Sequence, residues 1–379
     1  MASHSANSLT GSFSTLVKRA SGIAIALTNQ HEDGRYATYG RGASVTGEVS
    51  LSSTHGITSV QITLEGKVEM SLNSMTMPYP KVLSLSSTLW DSTRTLDCPS
   101  TIPFDLVIPQ TFLEPKTGTT YPLPPSFDTA FSLSDLHVSC AYNLIVLVNR
   151  SRWTPNKMLT IDVDYVPRNL PSRVMLDEPF PFFDTVKSAP EEWRQKSAIL
   201  SPKPHAPVGP VHCDWFTPSV RVFAKRDRVP FFLQLRGAES SMKSLYGYVK
   251  QGREEGWTQR FRRVTQDAHV APRITLSIQR QVLIDTSSGV HIARSYPIGT
   301  GSLRQVPPGY ALTALSEIDV LTVEYEGEIR LDPGLSAAGF DMGTLRVSDF
   351  IVLTIEPPES AGSYYENLRQ VDGVRIVTG

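Results

Sequence analysis

Hydrophobic residues recur along this chain with a period of two. Between Ser59 and Leu72 the apolar side chains fall on Val60, Ile62, Leu64, Val68, Met70 and Leu72, with polar residues or Gly66 between them. That spacing is one face of a half-buried strand. It returns at Leu159, Ile161, Val163 and Tyr165 against Thr160, Asp162 and Asp164, and again at Ile274, Leu276 and Ile278. The runs Tyr142 to Val148 and Phe350 to Ile355 are apolar at nearly every position, which predicts central strands packed on both sides. Glu32-Asp33-Gly34, His55-Gly56, Lys116-Thr117-Gly118, Ser288-Gly289 and Asp332-Pro333-Gly334 supply turn chemistry between such runs.

One helix is predicted, over Ser188 to Lys196. Ser188 and Glu191 have capping-box spacing, Pro190 sits in the first turn, and acids precede the terminal Lys196. It lies in a Pro-rich stretch with little alternation. No helical patterns of 10–15 residues alternate with strands, so a parallel α/β sheet is excluded. The expected fold is all-β, with two immunoglobulin-like β-sandwiches in tandem. A chain of 379 residues exceeds what one core usually serves. The expected domains are a first sandwich over 1–165, a connector with the short helix over 166–211, a second sandwich over 212–356, and a short polar tail over 357–379.

Composition narrows the function. The charged fraction of 19% and hydrophobic fraction of 40% are those of a folded globular chain. A formal net charge of −1 gives no global drive toward nucleic acid, so an anionic partner must meet a local patch. Cys98, Cys140 and Cys213 are sparse, odd in number and without CxxC spacing, and read as buried residues of a reducing compartment. Ile23 to Leu27 is too short for a secretory apolar segment, and nowhere do about 18 apolar residues run together. The expectation is a cytoplasmic protein. Gly40-Arg41-Gly42-Ala43-Ser44-Val45-Thr46-Gly47 superficially resembles a phosphate loop, but its spacing is wrong and it continues as strand. With no HxxxH, HExxH or GxSxG, no catalytic, metal or cofactor site is assigned.

Charge counted by region says more. Residues 216–280 hold 13 Lys/Arg against 5 Asp/Glu, whereas residues 281–379 hold 6 against 13. Lys225, Arg226 and Arg228, with Arg260, Arg262 and Arg263, form loop-like basic clusters suited to phosphorylated tails or anionic lipid headgroups. The competing reading is a solvated face paired with the acidic strands that follow. Two short motifs remain. Pro307-Pro308-Gly309-Tyr310 is a PPxY sequence of the kind that docks on WW domains, although it lies inside a domain. Tyr365-Glu366-Asn367-Leu368 has the YxxΦ form of a sorting signal, a form common by chance.

Several segments together resemble the arrestin family. Tyr39 to Val49 followed by Ile57 to Gly66 is similar to the opening of an arrestin N-domain. Ile102-Pro103-Phe104-Asp105-Leu106-Val107-Ile108-Pro109 and Leu123-Pro124-Pro125-Ser126-Phe127 resemble its edge-strand and loop signatures. Pro218 to Phe223 and Val229 to Leu235 look like the start of an arrestin C-domain, and Tyr165-Val166-Pro167-Arg168 and Pro190 to Arg194 are similar to connector pieces of fungal α-arrestins. The resemblance implies arrestin N and C sandwiches. It also implies a non-enzymatic cytoplasmic adaptor or scaffold, peripheral at the plasma membrane or endosomes. Such an adaptor binds transporter or receptor tails and links them to ubiquitination and endocytosis through a Nedd4-type ubiquitin ligase. Family members commonly carry several PPxY motifs in a long tail, whereas this sequence holds the one at Pro307, Pro308 and Tyr310. The alternative is a structural coat component like the arrestin-fold retromer subunit, with constitutive protein contacts and no ligase.

Overall fold

A computed structural model describes residues 13–31, 35–77, 79–95, 97–115, 117–131, 136–151, 154–171, 182–246, 271–286, 289–307, 320–358 and 364–379. Among them the first half contributes β1 (Phe13–Ala20), β2 (Ile23–His31), β3 (Ala37–Tyr39), β4 (Ser44–Leu51), β5 (Ile57–Leu72), β6 (Met75–Met77) and β7 (Leu83–Asp91). It continues with β8 (Thr101–Val107), β9 (Thr111–Leu113), β10 (Thr120–Pro122), β11 (Phe127–Phe131), β12 (Leu136–Arg150) and β13 (Lys157–Tyr165). After α1 (Phe182–Ser188) come β14 (Trp193–Leu200), β15 (Val211–Pro218), β16 (Val222–Ala224), β17 (Arg228–Ala238), α2 (Glu239–Leu245) and β18 (Arg273–Asp285). The last strands are β19 (His291–Gln305), β20 (Val320–Leu331), β21 (Phe340–Asp341), β22 (Leu345–Glu356) and β23 (Leu368–Val377).

The architecture is all-β and sandwich-like. In the first half, a four-stranded sheet in the order β1-β2-β4-β8 shares one core with a seven-stranded sheet built on β3-β13-β12-β5-β6. The period-two reading holds here. Val60, Ile62, Leu64, Val68 and Met70 all face that core, and β12 is central, flanked by β5 and β13. Gly66 keeps the same phase but carries no side chain because the Tyr142 ring lies opposite it; a Cβ there would stand 2.5 Å from Tyr142 Cε1. Tyr142 in turn donates its hydroxyl to Pro124 O at 2.5 Å, and Tyr165 N donates to Ser126 Oγ at 2.8 Å. The Leu123–Phe127 loop is therefore pinned to two strands.

The second half is a single ten-stranded sheet in the order β14-β15-β17-β20-β19-β18-β22-β23-β16, with β21 on β22. It curls until its last strands return toward its first. Pro202 and Tyr365 form a β-bridge, and Glu366 N donates to Ser201 O at 3.0 Å. One buried charge pair sits inside this curl. Arg280 and Asp349 are directly opposed across β18 and β22, at positions that alternation assigns to the inner face. Arg280 Nε and Nη2 reach the two carboxylate oxygens at 2.8 and 3.1 Å, and its Nη1 donates to Ala337 O at 2.8 Å. Asp349 Oδ2 also accepts Ile376 N at 3.3 Å, so one buried pair ties three strands and a loop together.

The halves meet through packed apolar side chains. Phe127 lies edge-on to Phe340 at 5.5 Å, and Phe131 to Tyr296 at 5.4 Å. Val282, Ile284, Met342, Leu345 and Val347 extend the first half's core into the second.

Three expectations are corrected. Residues 188–196 are not a helix: α1 ends at Ser188, Pro190–Glu192 form one 3₁₀ turn, and Trp193 to Leu200 pair with β15. Ser188 Oγ donates back to Asp184 O, as a residue in the last turn does, and caps nothing ahead of it. The ladder with Val211–Pro218 outweighs the local helix signals. The connector therefore ends before Trp193, with β14 belonging to the second half's sheet. Nor is 357–379 a free polar tail, because β23 pairs with β22 from Leu368 to Val374 and buries Leu368, Ile376 and Val377. Its polar appearance comes from facing water on one side of the sheet.

Candidate functional site

The chain runs from β16 into β17 through a tight turn at Ala224–Asp227. Asp227 N donates to Ala224 O at 2.9 Å, and Ala224 N donates to Asp227 Oδ2 at 2.6 Å. That reciprocal pair consumes the carboxylate oxygen within the turn and places Lys225 and Arg226 at its apex. Lys225 N donates to Val377 O at 2.9 Å, which fixes the turn against β23.

Three walls then enclose a cleft of about 470 Å³. One is this turn with Arg228 at the start of β17. A second is Arg330, Leu331 and Pro333, where β20 runs into a turn held by Gly334 N donating to Asp332 Oδ1 at 2.8 Å. The third is Thr378 and Gly379, tied to Pro167 O and Asn169 O at 3.3 and 3.2 Å. Four cationic residues thus line the cleft: Lys225, Arg226, Arg228 and Arg330. Two carboxylates oppose them. Asp227 is engaged by its own turn, and Glu328 lies 4.0 Å from Arg228 Nη1 and accepts Arg330 Nε at 2.6 Å. Arg228 and Arg330 are 65% and 63% exposed along their side chains, so those pairs are each worth only about 0–1 kcal/mol and yield readily to a stronger anion. Guanidinium pairs with ammonium support suit a phosphate-type group, held in part bidentately.

The structure brings together Lys225, Arg226 and Arg228 of the expected patch and adds Arg330. Sequence reading missed Arg330 because it sits on the strand carrying Glu324, Glu326 and Glu328, where the local count is acidic. Only the 228–330 cross-strand register makes it a neighbour. Arg260, Arg262, Arg263, Pro308 and Tyr310 lie outside the described residues, while Pro307 is exposed just after β19. Tyr365 and Leu368 are corrected as a sorting-type motif. Tyr365 is 2% exposed with its hydroxyl between Gly209 O and Ser241 O at 3.0 and 3.2 Å, and Leu368 packs in the core. A linear signal must peel free to be read, and these side chains are interior.

Cys140 and Cys213 are buried free thiols, both pushed up to about 12 by desolvation. Among the described residues no three His, Cys, Asp or Glu side chains gather as metal ligands do, and no helix is long and apolar enough to cross a membrane. Comparison of the chain with protein-family models and with curated proteins returns no match.

Proposed function

We propose that this protein is a non-enzymatic arrestin-like adaptor. In this reading its halves are two immunoglobulin-like sandwiches in tandem, and the basic cleft takes a phosphorylated segment of a membrane-protein tail. The observation that carries the proposal is the convergence of Lys225, Arg226, Arg228 and Arg330 on one cleft, with one of the two opposing carboxylates locked inside its own turn. The arrestin-like segments lend support, since the cleft's turn lies between Pro218 to Phe223 and Val229 to Leu235, the two stretches that resemble the start of an arrestin C-domain. The Leu123–Phe127 loop adds more: it is pinned to Tyr142 and Tyr165, and its Phe127 packs on the second half.

The test is binding of phosphorylated and unphosphorylated copies of one receptor-tail peptide to the wild type and to Arg226→Glu/Arg228→Glu. The phosphorylated copy binds at least about tenfold tighter to wild type, and both the charge reversal and added salt remove the difference. Equal binding of the two copies by wild type overturns the cleft's role. The ligase link rests on Pro307, Pro308 and Tyr310. A WW-domain array probed with wild type and Tyr310→Ala decides it, and no binding by wild type removes that part. Proximity labelling by the full chain separates adaptor from coat: transporters and ligases among the labelled proteins support the adaptor, large coat subunits the alternative.

A further inference from the structure

The first and last strands of the curled sheet meet at a charged seam. Beyond the Pro202–Tyr365 bridge β14 runs antiparallel beside β23. Each strand sends apolar residues into the core, Ala198 and Leu200 from β14 and Leu368 and Ile376 from β23. Arg194 and Lys196 continue the phase of Leu200, and Asp372 lies in phase with Leu368 and Ile376. Alternation therefore turns all three toward the inside of the curl. Arg221 joins them from the position just before β16.

The resulting cluster is out of balance. Asp372, only 5% exposed along its side chain, is met by Lys196 Nζ at 2.9 Å, Arg221 Nη2 at 3.4 Å and Arg194 Nε at 3.5 Å. One cation compensates a buried carboxylate; three against one leave two positive charges in excess. Like charges gathered this closely repel, and a dianion cancels the excess. Donors are also left over. Lys196 Nζ donates to Val371 O and Arg221 Nε to Gly373 O, each at 2.9 Å. The two terminal nitrogens of Arg194 and Nη1 of Arg221, however, have no acceptor among the described residues. These two side chains are 39% and 48% exposed, so the spare donors are reached from solvent. On the inner side the Trp215 ring lies 5.7 Å from Lys196 Nζ, and its Nε1 is buried without an acceptor among the described residues.

We propose that Arg194, Lys196 and Arg221 form a site for a small soluble dianion of the phosphate or sulfate type. The free fork of Arg194 takes two of its oxygens, and Arg221 and Lys196 supply further charge-assisted donors. All three cationic heads stand within 3.5 Å of one carboxylate, close enough together to share a single tetrahedral ion. Such an ion bridges β14 to the chain entering β16 beside β23, so it fastens the closure of the curl and stabilises the folded chain by mass action. The site is separate from the 225–228 cleft, since β16 lies between Arg221 and Lys225. It does not depend on the adaptor reading. The competing account is that the three cations serve only Asp372 and the two carbonyls.

The test is calorimetric titration of the full chain with inorganic phosphate at mildly alkaline pH, where phosphate is a dianion, and with sulfate and acetate at matched ionic strength. Wild type takes up phosphate and sulfate, and holds acetate at least about tenfold more weakly. The Arg194 side chain makes no hydrogen bond among the described residues, so Arg194→Gln leaves the fold in place and weakens phosphate at least about tenfold. Arg194→Lys restores the charge without the fork and recovers the affinity only in part. Arg226→Glu/Arg228→Glu, which disables the cleft, leaves the seam's affinity unchanged. No uptake of phosphate by wild type up to about 50 mM overturns the proposal. So does equal affinity in wild type and Arg194→Gln, or loss of binding in Arg226→Glu/Arg228→Glu alone, which assigns the ion to the cleft.

Discussion

The buried Arg280–Asp349 pair offers the sharpest test of how the second half is held together. Asp349→Ala removes the acceptor of two guanidinium bonds at 2.8 and 3.1 Å and of the Ile376 amide at 3.3 Å. What remains is a guanidinium 1% exposed, with Ala337 O as its hydrogen-bond acceptor. Removing one partner of such a pair costs about 3–5 kcal/mol, because the other charge stays buried without compensation. Removing both does not: Arg280→Met/Asp349→Leu exchanges the pair for apolar side chains of similar volume and falls within about 1 kcal/mol of wild type or above it. The assay is urea unfolding of wild type and the two variants, read by near-ultraviolet circular dichroism. With a slope of about 3 kcal/mol/M, Asp349→Ala lowers the midpoint by about 1–1.7 M. A loss below about 1 kcal/mol in Asp349→Ala refutes the reasoning. So does a double variant as unstable as Asp349→Ala, since the penalty then lies in packing and not in stranded charge.

Three further outcomes follow from the same contacts. Gly66→Ala puts a methyl 2.5 Å from Tyr142 Cε1, whose ring is held by Pro124 O, and lowers stability by about 1–3 kcal/mol; Tyr142→Leu in the same chain recovers most of it in thermal melts. Deleting residues 364–379 exposes the β22 edge and strips Asp349 of the Ile376 amide, so the second half loses its cooperative transition and exposes apolar surface to a dye such as ANS. The Tyr246 and Tyr325 hydroxyls share a 2.6 Å bond in the core, and burial pushes Tyr246 well above 10 and Tyr325 up to about 12. Both stay neutral when folded, so their contribution is intact below pH 10 and is lost as the pH rises from about 10 through about 12. Tyrosinate absorbance then appears together with unfolding, and Tyr325→Phe lessens the alkaline loss.

The alternation of apolar and polar residues was sufficient to find β5, β13 and β18, because each of those strands has one face in the core and carries that fact locally, while β12 and β22 were visible as nearly continuous apolar runs. It also held the signal for the buried pair. Arg280 lies in phase with Ile278 and Val282, and Asp349 with Val347 and Ile351, a charge at an inward position in each of two strands. That they face each other is a matter of register across 69 residues, which no local pattern encodes. The cleft shows the same division. Lys225, Arg226 and Arg228 were visible as a basic run, while Arg330 joined them only through strand pairing within an acidic stretch.

The failures have one cause. Residues 188–196 carry sound capping signals and 357–379 look like a polar end, yet the chain from Trp193 and the stretch Leu368–Val377 become strands in the same sheet. Phe232 breaks the inside–outside rhythm of β17 because the α1 ring of Phe182 stacks on it at 4.0 Å, burying a position that alternation assigns to water. Local sequence determines which residues can face a core. Whether a marginal segment finds a partner strand or a covering helix is decided by tertiary contacts, since a ladder and its buried area outweigh the few tenths of a kcal/mol per residue that propensity supplies.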